Sequence, residues 1–424
     1  MIYIIDSLMG TGKTKGSYSM INRHKDRKYV FMTPLLNEFK PLQHACRDLY
    51  FIEPQAYPTK QAHFRSLVQS GQNIVTSHEL IKRMKFTDED KAIFYSHRYT
   101  LIIDEAVDTI SEFSHLNLAD FKKVKDDIQI DSRGWVTWTE NDESKIPDRY
   151  RDVYEVSLTG NLYSYNNTLL WRLPLDFFDC FQDIYIMTYN FERSHMSYDL
   201  KLENIPYEYC HFENNELQTG KQDISHYLQA FKDRIVLYDG KLNEIGKNYY
   251  DLSAHQWKSM ITRSSMQKTV SVTEKHIYIE DTLEKFRNIF RNHNQPVDKC
   301  IYSRFKRPEE TTNGQNTRLK YFIRNYTGAE MVPFNTTGTN EYRLKTSLIY
   351  GVNVFEHPGI SQYYQERHLS SYNKDDMALN TMLQWIYRSA IRNVNVEKTD
   401  PCYHIMLAVP SLRMRNILLQ WVNQ

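Results

Sequence analysis

A glycine-containing turn near the start of the chain carries the residue types that bind phosphate. Residues 7–14 read S-L-M-G-T-G-K-T and follow the apolar run M-I-Y-I-I-D. Backbone N–H groups can wrap phosphate oxygens only where side chains do not intervene, which Gly10 and Gly12 allow. The Lys13 ammonium would reach the β- and γ-phosphates, and the Thr14 hydroxyl would hold Mg²⁺. We therefore predict a site for ATP and Mg²⁺ formed by Gly10, Thr11, Gly12, Lys13 and Thr14.

Two adjacent carboxylates follow another apolar run. Residues 101–106 read L-I-I-D-E-A. In a P-loop enzyme the first carboxylate, here Asp104, positions Mg²⁺, and the second, here Glu105, orients or activates the attacking water. A strand that ends in Asp-Glu is common by itself, but it becomes a specific signal beside a G-K-T turn in the same αβ unit. Lys13, Asp104 and Glu105 are therefore predicted catalytic residues, and Thr14 and Asp104 are predicted metal ligands.

The elements that must position these residues alternate between short apolar runs and amphipathic segments. This rhythm is typical of a parallel sheet with helical crossovers and predicts an α/β fold. The predicted strands are residues 2–5, 29–32, 73–75, 100–103, 183–187, 234–238, 276–279, 299–303, 345–350 and 403–409. A polar stretch over about residues 114–165 is interpreted as an insertion in the first domain. The polar residues 192–222 are where we expect the chain to cross between domains.

The bulk composition narrows the class of protein. A chain of 424 residues has the length of two or three domains. Its net charge of +1 provides no global basic field, so any nucleic-acid contact must use local patches. The five cysteines are isolated in sequence, which gives no zinc-ligand spacing and predicts reduced thiols in a cytoplasm. No signal-peptide pattern is found, and no apolar run nears the ~20 residues of a membrane helix, so we expect a soluble protein without membrane contact.

The two motifs resemble motifs I and II of superfamily 2 helicases, the DEAD/DEAH-like group. The resemblance implies two RecA-like domains, each a parallel sheet flanked by helices, with the nucleotide cleft between them. We place the first domain at residues 1–195, with motifs I, Ia, Ib, II and III and the polar insertion. The second, at residues 196–424, would carry motifs V and VI.

Threonines at strand ends match further motifs of the first domain. Thr33 and Thr76 stand where the family's motifs Ia and Ib contact a nucleic-acid backbone, and hydroxyls at such positions suit phosphate contact. Motif III couples hydrolysis to the nucleic acid, and Thr188 in Y-I-M-T-Y-N is its best counterpart. Ser157 and Thr159 offer a competing assignment.

The second half contains a counterpart of motif V. Residues 346–353 read T-S-L-I-Y-G-V-N. In the family, this Thr and the Gly-Val-Asp/Asn turn touch nucleic acid and nucleotide. The resemblance therefore implies that Thr346 contacts nucleic acid and that Gly351 and Asn353 contact the nucleotide.

Residues 384–392, Q-W-I-Y-R-S-A-I-R, look like motif VI, the source of the family's arginine finger. Helical spacing would place Gln384, Arg388 and Arg392 along one face, where all three are predicted to take part in catalysis. The family usually spaces its two arginines by three residues, whereas these are four apart. Either Arg388 or Arg392 would therefore meet the γ-phosphate.

Two clusters could supply local nucleic-acid contacts because they are rich in basic residues, the first with aromatic rings interleaved. The first cluster consists of Arg304, Phe305, Lys306, Arg307, Arg318, Lys320, Tyr321, Phe322 and Arg324. The second consists of Arg23, Lys25, Arg27 and Lys28. An ordinary solvated surface is the competing interpretation of both.

The resemblance implies an ATP-dependent helicase or translocase that acts on nucleic acid, on DNA rather than RNA. The C-terminal run I-M-L-A-V-P-S-L-R-M-R-N-I-L-L-Q-W resembles helicase-like proteins of bacteriophages and prophages, which implies a host cytoplasm and partners in replication or recombination. A replication-initiation scaffold that uses ATP as a switch is an alternative. So is a terminase-like packaging ATPase, although no convincing set of nuclease carboxylates follows residue 200.

Overall fold

The computed structural model of the chain describes residues 1–34, 39–113, 123–140, 142–166, 168–259, 261–263, 270–272, 285–286, 288, 297–305, 329–336, 341–393, 395–400 and 402–423. The chain forms two compact units. The first unit comprises Met1–Gln222 and His357–Asn373, and the second comprises Asp223–Glu356 and Lys374–Gln424. The chain therefore leaves the first unit, returns to it for one short segment and leaves it again.

Strands occur in both units. In chain order they are β1 (Ile2–Asp6), β2 (Lys28–Thr33), β3 (Phe51–Ile52), β4 (Asn73–Ser77), β5 (Tyr99–Asp104), β6 (Ile110–Glu112), β7 (Ile128–Ile130), β8 (Val136–Trp138), β9 (Leu162–Tyr165), β10 (Thr168–Arg172), β11 (Asp183–Thr188), β12 (Tyr207–Glu213), β13 (Glu216–Thr219), β14 (Ile235–Leu237), β15 (Ile261–Arg263), β16 (Val270–Val272), β17 (Cys300–Ser303), β18 (Glu330–Met331), β19 (Ser347–Tyr350) and β20 (Ile405–Ala408). Each strand predicted in the first half is confirmed, with its ends within two residues of the predicted ones.

Helices connect many of these strands. In chain order they are α1 (Lys13–Arg23), α2 (Phe39–Ala45), α3 (Lys60–Gln69), α4 (His78–Lys82), α5 (Asp88–Ser96), α6 (Arg151–Leu158), α7 (His195–Leu202), α8 (Ser225–Arg234), α9 (Ala254–Ser259), α10 (Pro358–Glu366), α11 (Asp376–Ile386) and α12 (Leu412–Val422). Within the described ranges, none of them is long and apolar enough to cross a membrane.

The main sheet of the first unit has eight strands in the order β13-β12-β1-β11-β5-β2-β4-β3. All neighbouring strands run parallel except β12 and β13, which pair antiparallel. A single strand, β11, separates β1 from β5. Ligands of such sheets bind beyond the carboxyl ends of the strands. The residues that follow β1, β5 and β11 therefore gather at the edge where a ligand is expected.

Successive side chains of these strands enter different hydrophobic cores. Ile4 and Ile103 lie in one core, whereas their chain neighbours Ile5 and Ile102 lie in the other. All four are fully buried. A parallel sheet covered on both faces requires continuous apolar strands, because no face meets water. Burial of both faces of the sheet therefore explains the uninterrupted apolar runs in the sequence.

The polar stretch at 114–165 and the strands on either side of it form a small layer in the first unit. β6, β10 and β9 form an antiparallel sheet, and β7 pairs with β8. Trp138, Val153 and Leu162 belong to a hydrophobic core separate from those of the main sheet. The described part of this stretch therefore has a core of its own within the first unit.

The second unit is built on a five-stranded sheet in the order β14-β20-β19-β17-β18, in which all neighbours run parallel. The strand predicted at residues 234–238 starts one residue later because Arg234 ends α8. The strand predicted at residues 276–279 lies outside the described residues. The predicted α/β fold with parallel sheets flanked by helices is confirmed in both units.

The first unit extends beyond residue 195, where the sequence placed its end. β12 and β13 follow that residue in the chain and extend the first sheet, since β12 pairs in parallel with β1 and antiparallel with β13. The segment His357–Asn373 also belongs to the first unit. Ile360 and Tyr363 of α10 share a hydrophobic core with Tyr163 and Leu170. The sequence placed this segment in the second domain.

Candidate nucleotide and nucleic-acid site

The turn between β1 and α1 has the backbone form of a phosphate loop. Gly10 has φ +89° and Gly12 has φ +88°, in the left-handed region that side chains disfavour. A Cβ at Gly12 would meet no atom within 4 Å, so backbone conformation is what selects glycine there. Gly12 caps the N-terminus of α1, whose first amides and dipole suit an anion. The Lys13 ammonium donates to the carbonyls of Ser7 and Leu8, which holds its charge at this loop.

The structure brings the predicted metal ligands together. The Thr14 hydroxyl lies 3.4 Å from Oδ2 and 3.5 Å from Oδ1 of Asp104, although 90 residues separate them in sequence. Glu105 follows with φ +63°, an uncommon conformation for a residue with a side chain. Such strain marks functional sites in many proteins. Hydroxyl and carboxylate oxygens are ligands that Mg²⁺ prefers, and it completes its shell with water and phosphate oxygens. Thr14 and Asp104 therefore fit this ion.

The end of β11 contacts both halves of this site. The Ser7 N–H donates to the Thr188 carbonyl at 3.0 Å, and the Glu105 N–H donates to the Met187 carbonyl at 2.9 Å. A shift of β11 would therefore reach the phosphate loop and the carboxylates together. This position suits the coupling role predicted for Thr188. The competing residues, Ser157 and Thr159, lie in α6 and at its C-terminal end, within the polar stretch.

Asp6 ties the phosphate loop to the chain that follows β11. Its carboxylate accepts hydrogen bonds from the N–H groups of Asn190, at 2.7 Å, and Phe191, at 3.0 Å. Burial raises the pKa of Asp6, and the two N–H donors and the Lys13 charge oppose this rise. The motif pattern does not include Asp6, although this acid directly precedes the S-L-M-G-T-G-K-T turn in the sequence.

His78 is a further residue that sequence reasoning missed. It begins α4, directly after β4, and it forms a hydrogen bond with the backbone of Asp104. Burial lowers the pKa of His78 to about 3, and the Lys82 charge acts in the same direction. The imidazole is therefore neutral at physiological pH. This neutral contact links the predicted motif Ib segment to the backbone of Asp104, the predicted metal ligand.

The low pKa of His78 predicts a pH dependence of stability. Below about pH 6.5 the unfolded chain protonates this imidazole, whereas the folded chain excludes the proton until about pH 3. The folded state therefore loses stability as pH falls through this window, and full stability is present above it. Between about pH 7 and pH 5 the loss from this group is up to about 2 kcal/mol. We expect His78→Gln to remove that part, measured as a smaller shift of the urea midpoint between these pH values.

The matched control is His226→Gln, because His226 is exposed at the start of α8. This variant should retain the wild-type dependence on pH. An unchanged dependence in His78→Gln would show that the His78 imidazole is already protonated, or accessible to protons, in the folded protein.

The predicted contacts of motifs Ia and Ib lie at the carboxyl ends of their strands but are buried. Thr33 is 0% exposed and Thr76 is 1% exposed. Ser77, which follows Thr76, accepts a hydrogen bond from Leu80 N–H at 3.3 Å and so caps α4. The hydroxyls of Thr33 and Thr76 therefore do not face solvent.

Motif V is placed differently from what the sequence implied. Thr346 precedes β19 and is buried, and its backbone pairs with Lys299 and Met406. Gly351 follows β19, so the strand separates these two predicted contacts. The Asn353 amide donates to the carbonyls of Tyr249 and Asp251 at 2.8 and 2.9 Å and is 0% exposed. Asn353 is thus engaged in holding a neighbouring loop.

The predicted helix through motif VI ends early. Helix α11 stops at Ile386, and Arg392 lies in a separate 3-10 turn, so Gln384, Arg388 and Arg392 do not share one helical face. Ser389 breaks the helix because its hydroxyl bonds the Ile386 carbonyl at 2.7 Å and accepts from Ile391 N–H. Arg388 is buried, whereas Gln384 and Arg392 are half-buried.

Arg234 holds the segment that carries Arg392. Its guanidinium is 1% exposed and donates to the carbonyls of Ala390, Cys402 and Tyr403 at 3.0 to 3.1 Å. Carbonyls after a helix end need such donors when they are buried. A lone arginine at the end of a helix gave no sequence signal for this role, because its partners are distant backbone atoms.

The basic cluster at residues 23–28 is largely neutralised. Arg23 pairs with Glu216, Lys25 with Asp48 and Arg27 with Asp183. The ordinary-surface interpretation therefore fits these three residues better than phosphate binding. Of the other cluster, only Arg304 and Phe305 are among the described residues, and Arg304 is buried.

A curated protein matches this chain over its full length. Residues 229–422 match the family model of the YonV C-terminal Rossmann-like domain. The chain is 28% identical over 447 aligned residues to the SPbeta prophage-derived uncharacterized protein YonV of Bacillus subtilis (strain 168). The alignment covers 100% of this chain and 98% of that protein. The predicted resemblance to prophage-encoded proteins is confirmed.

Solved structures of XPD proteins also align along most of the chain. An apo form of XPD aligns with a TM-score of 0.47 and 12% identity, covering 99% of this chain and 95% of that chain. Xpd4 of S. tokodaii aligns with a TM-score of 0.45 and 13% identity, covering 99% and 94%. The α/β architecture itself rests on the strand pairing of this chain.

Proposed function

We propose that this protein is an ATP-hydrolysing motor of the superfamily 2 helicase type that acts on nucleic acid. The observation that carries the proposal is the meeting of Thr14 and Asp104 beside a glycine loop that presents Lys13. A phosphate loop, a metal carboxylate and an adjacent acid for water are the parts that nucleotide hydrolysis needs. Their arrangement at the carboxyl edge of a parallel sheet agrees with this chemistry.

Each residue has a role in the proposed reaction. The loop amides and Lys13 would hold the β- and γ-phosphates, and Thr14 and Asp104 would hold Mg²⁺, which supplies charge neutralisation on the phosphates. Glu105 would orient the attacking water and accept its proton. Arg388 and Arg392 are candidates for the arginine that stabilises the developing charge, a contribution of ~10³ to 10⁵ in rate.

Coupling to nucleic acid would run through the end of β11. The Thr188 and Met187 carbonyls bond the phosphate loop and Glu105, so movement at β11 would accompany the nucleotide cycle. We infer DNA as the polymer because the full-length relative is prophage-derived, in keeping with a role in phage replication or recombination. A translocase requires only movement along one strand, with duplex opening as one outcome.

Steady-state ATP hydrolysis tests this proposal directly. It is measured with wild-type protein alone and with single-stranded DNA, duplex DNA or RNA. We expect one polymer to accelerate turnover several-fold, because nucleic-acid binding should favour the hydrolytically competent state. Lys13→Ala should abolish turnover with every polymer, since it removes the cation that contacts the transferred phosphate.

The matched control is Lys15→Ala, which removes an exposed lysine two positions along the same helix. This variant should retain wild-type turnover. If no polymer changes the wild-type rate while Lys13→Ala still abolishes it, the protein uses ATP as a switch, as in a replication-initiation scaffold. If Lys13→Ala hydrolyses normally, the phosphate loop is not the site of hydrolysis.

A further inference from the structure

Two consecutive tyrosines stand exposed beside the motif V turn of the second unit. Tyr249 is 46% exposed and Tyr250 is 69% exposed. Their ring centroids are 4.9 Å apart at 86°, and both rings lie within 5.6 Å of the half-buried Phe355 ring. Aromatic rings usually stabilise a fold or an interface most when they are buried. An aromatic cluster that is exposed to water therefore indicates a surface for a ligand.

The loop that carries these rings is rigidly held. Asn353 donates to the carbonyls of Tyr249 and Asp251, and its N–H donates to the Leu252 carbonyl at 2.9 Å. Leu252 is fully buried and has φ +62°, a genuine outlier for a bulky side chain. Such strain persists only where the surroundings enforce it, and it is concentrated at functional positions. The exposed rings are therefore ordered before any ligand arrives, which lowers the entropic cost of binding.

The surroundings of the cluster favour a ligand with negative charge. The Lys374 ammonium lies 5.9 Å from the Tyr249 ring, and Lys374 is exposed. The buried Arg413 guanidinium lies 4.1 Å from the Phe355 ring. Two acids near the cluster are engaged: Asp375 pairs with Arg413, and Asp251 accepts hydrogen bonds from the side chains of Asn248 and Gln256.

We propose that Tyr249 and Tyr250 form a stacking platform for a nucleobase, with Lys374 beside it for a phosphate. Flat π-faces with a cation alongside are the features that bind unpaired bases without reading their identity. The shared ligand chemistry is a base that carries phosphate, and its source is either a single strand or the adenine of the nucleotide. This inference rests on the proposed function, because it assigns a ligand contact to the same motor.

The test uses full-length Tyr249→Leu and Tyr250→Leu, which keep apolar bulk but remove the π-face. The matched controls are Tyr249→Phe and Tyr250→Phe, which keep the ring. The probes are fluorescein-labelled oligo(dT) of ~20 nucleotides, an abasic oligomer of the same length, and fluorescent mant-ATP. All titrations use one salt concentration, because phosphate contacts depend strongly on salt.

We expect each leucine variant to bind one of the base-containing probes ~5- to 150-fold more weakly, the range that a lost base stack implies. The phenylalanine variants should stay near wild type, and the abasic oligomer should bind all proteins alike. Weaker binding of oligo(dT) by the leucine variants identifies a base of a strand as the occupant, and weaker binding of mant-ATP identifies adenine. Both results support the platform.

Wild-type affinity of the leucine variants for both base-containing probes would overturn the inference. The binding readouts need no hydrolysis, so they remain informative if the motor proposal fails. A platform that binds oligo(dT) in a protein without polymer-stimulated ATPase would contradict the motor but not the stacking site. Both tyrosines are exposed, so the variants should keep the wild-type thermal midpoint.

Discussion

Glu105→Gln is expected to slow ATP hydrolysis by ~10²- to 10⁴-fold while leaving nucleotide affinity close to that of wild type. The amide keeps the size of the carboxylate but cannot accept a proton from the attacking water. Glu105 is half-buried directly after Asp104, and its N–H is bonded to the Met187 carbonyl, so the replacement should stay in place. Single-turnover hydrolysis measures the rate, and titration with mant-ATP measures the affinity.

Glu89→Gln is the matched control, since Glu89 is exposed in the first turn of α5 in the same unit. It should hydrolyse ATP at the wild-type rate. Wild-type turnover by Glu105→Gln would move water activation to another group. A loss of affinity equal to the loss of rate would instead assign Glu105 to nucleotide binding.

The parts of the fold that the sequence predicted well depend on local pattern. Strands β1 and β5 are continuous apolar runs because both faces of the sheet are buried, and such runs can be recognised in the sequence alone. The phosphate loop is likewise local, because Gly10 and Gly12 are chosen by backbone conformation. The pairing of Thr14 with Asp104 followed from these two motifs, since the carboxyl ends of parallel strands share one edge.

The parts that the sequence did not predict depend on tertiary contacts. The end of α11 has a local cause in Ser389, but the segment after it is held by the distant Arg234, which donates to the Ala390 carbonyl. Asn353 matched the family pattern in type, but its amide is engaged by Tyr249 and Asp251. In each case a partner more than a hundred residues away, which no window of sequence contains, decides the role of the residue.

The return of His357–Asn373 to the first unit is the largest feature without a sequence signal. It lies between the motif V and motif VI segments, which belong to the second unit. A buried polar network around Asp199 holds this segment in place. Helix α10 contributes Tyr364 to the network, and the remainder of the first unit contributes Arg172 and Thr109. Periodicity in α10 reports an apolar face but not the surface that it packs on.

We expect Arg172→Met to lower the free energy of opening around α10 by about 3 to 5 kcal/mol, because it leaves the Asp199 carboxylate buried without a cation. Asp199 is 0% exposed, and Arg172 Nη2 lies 3.6 Å from it. Trp135, Tyr163 and Tyr363 surround the guanidinium at 5.0 to 5.3 Å, so the position offers apolar contacts to methionine. Amide hydrogen exchange of peptides from α10 and α7 measures this locally, which matters because a protein of two units need not unfold in one step.

Asp199→Asn should also lower the free energy of opening, since it leaves the buried Arg172 guanidinium with only the exposed Glu203 carboxylate, 3.8 Å away. The double variant should lose at least about 2 kcal/mol less than the sum of the two single losses. Some loss should persist in the double variant, because the Thr109 and Tyr364 hydroxyls are arranged to donate to a carboxylate. Arg151→Met is the control: its ion pair with Glu143 is exposed and should contribute about 0 to 1 kcal/mol. Additive losses would mean that Arg172 and Asp199 stabilise the segment independently. Unchanged exchange in α10 would mean that its apolar face alone, through Ile360 and Tyr363, is enough to hold the chain between motifs V and VI on the first unit.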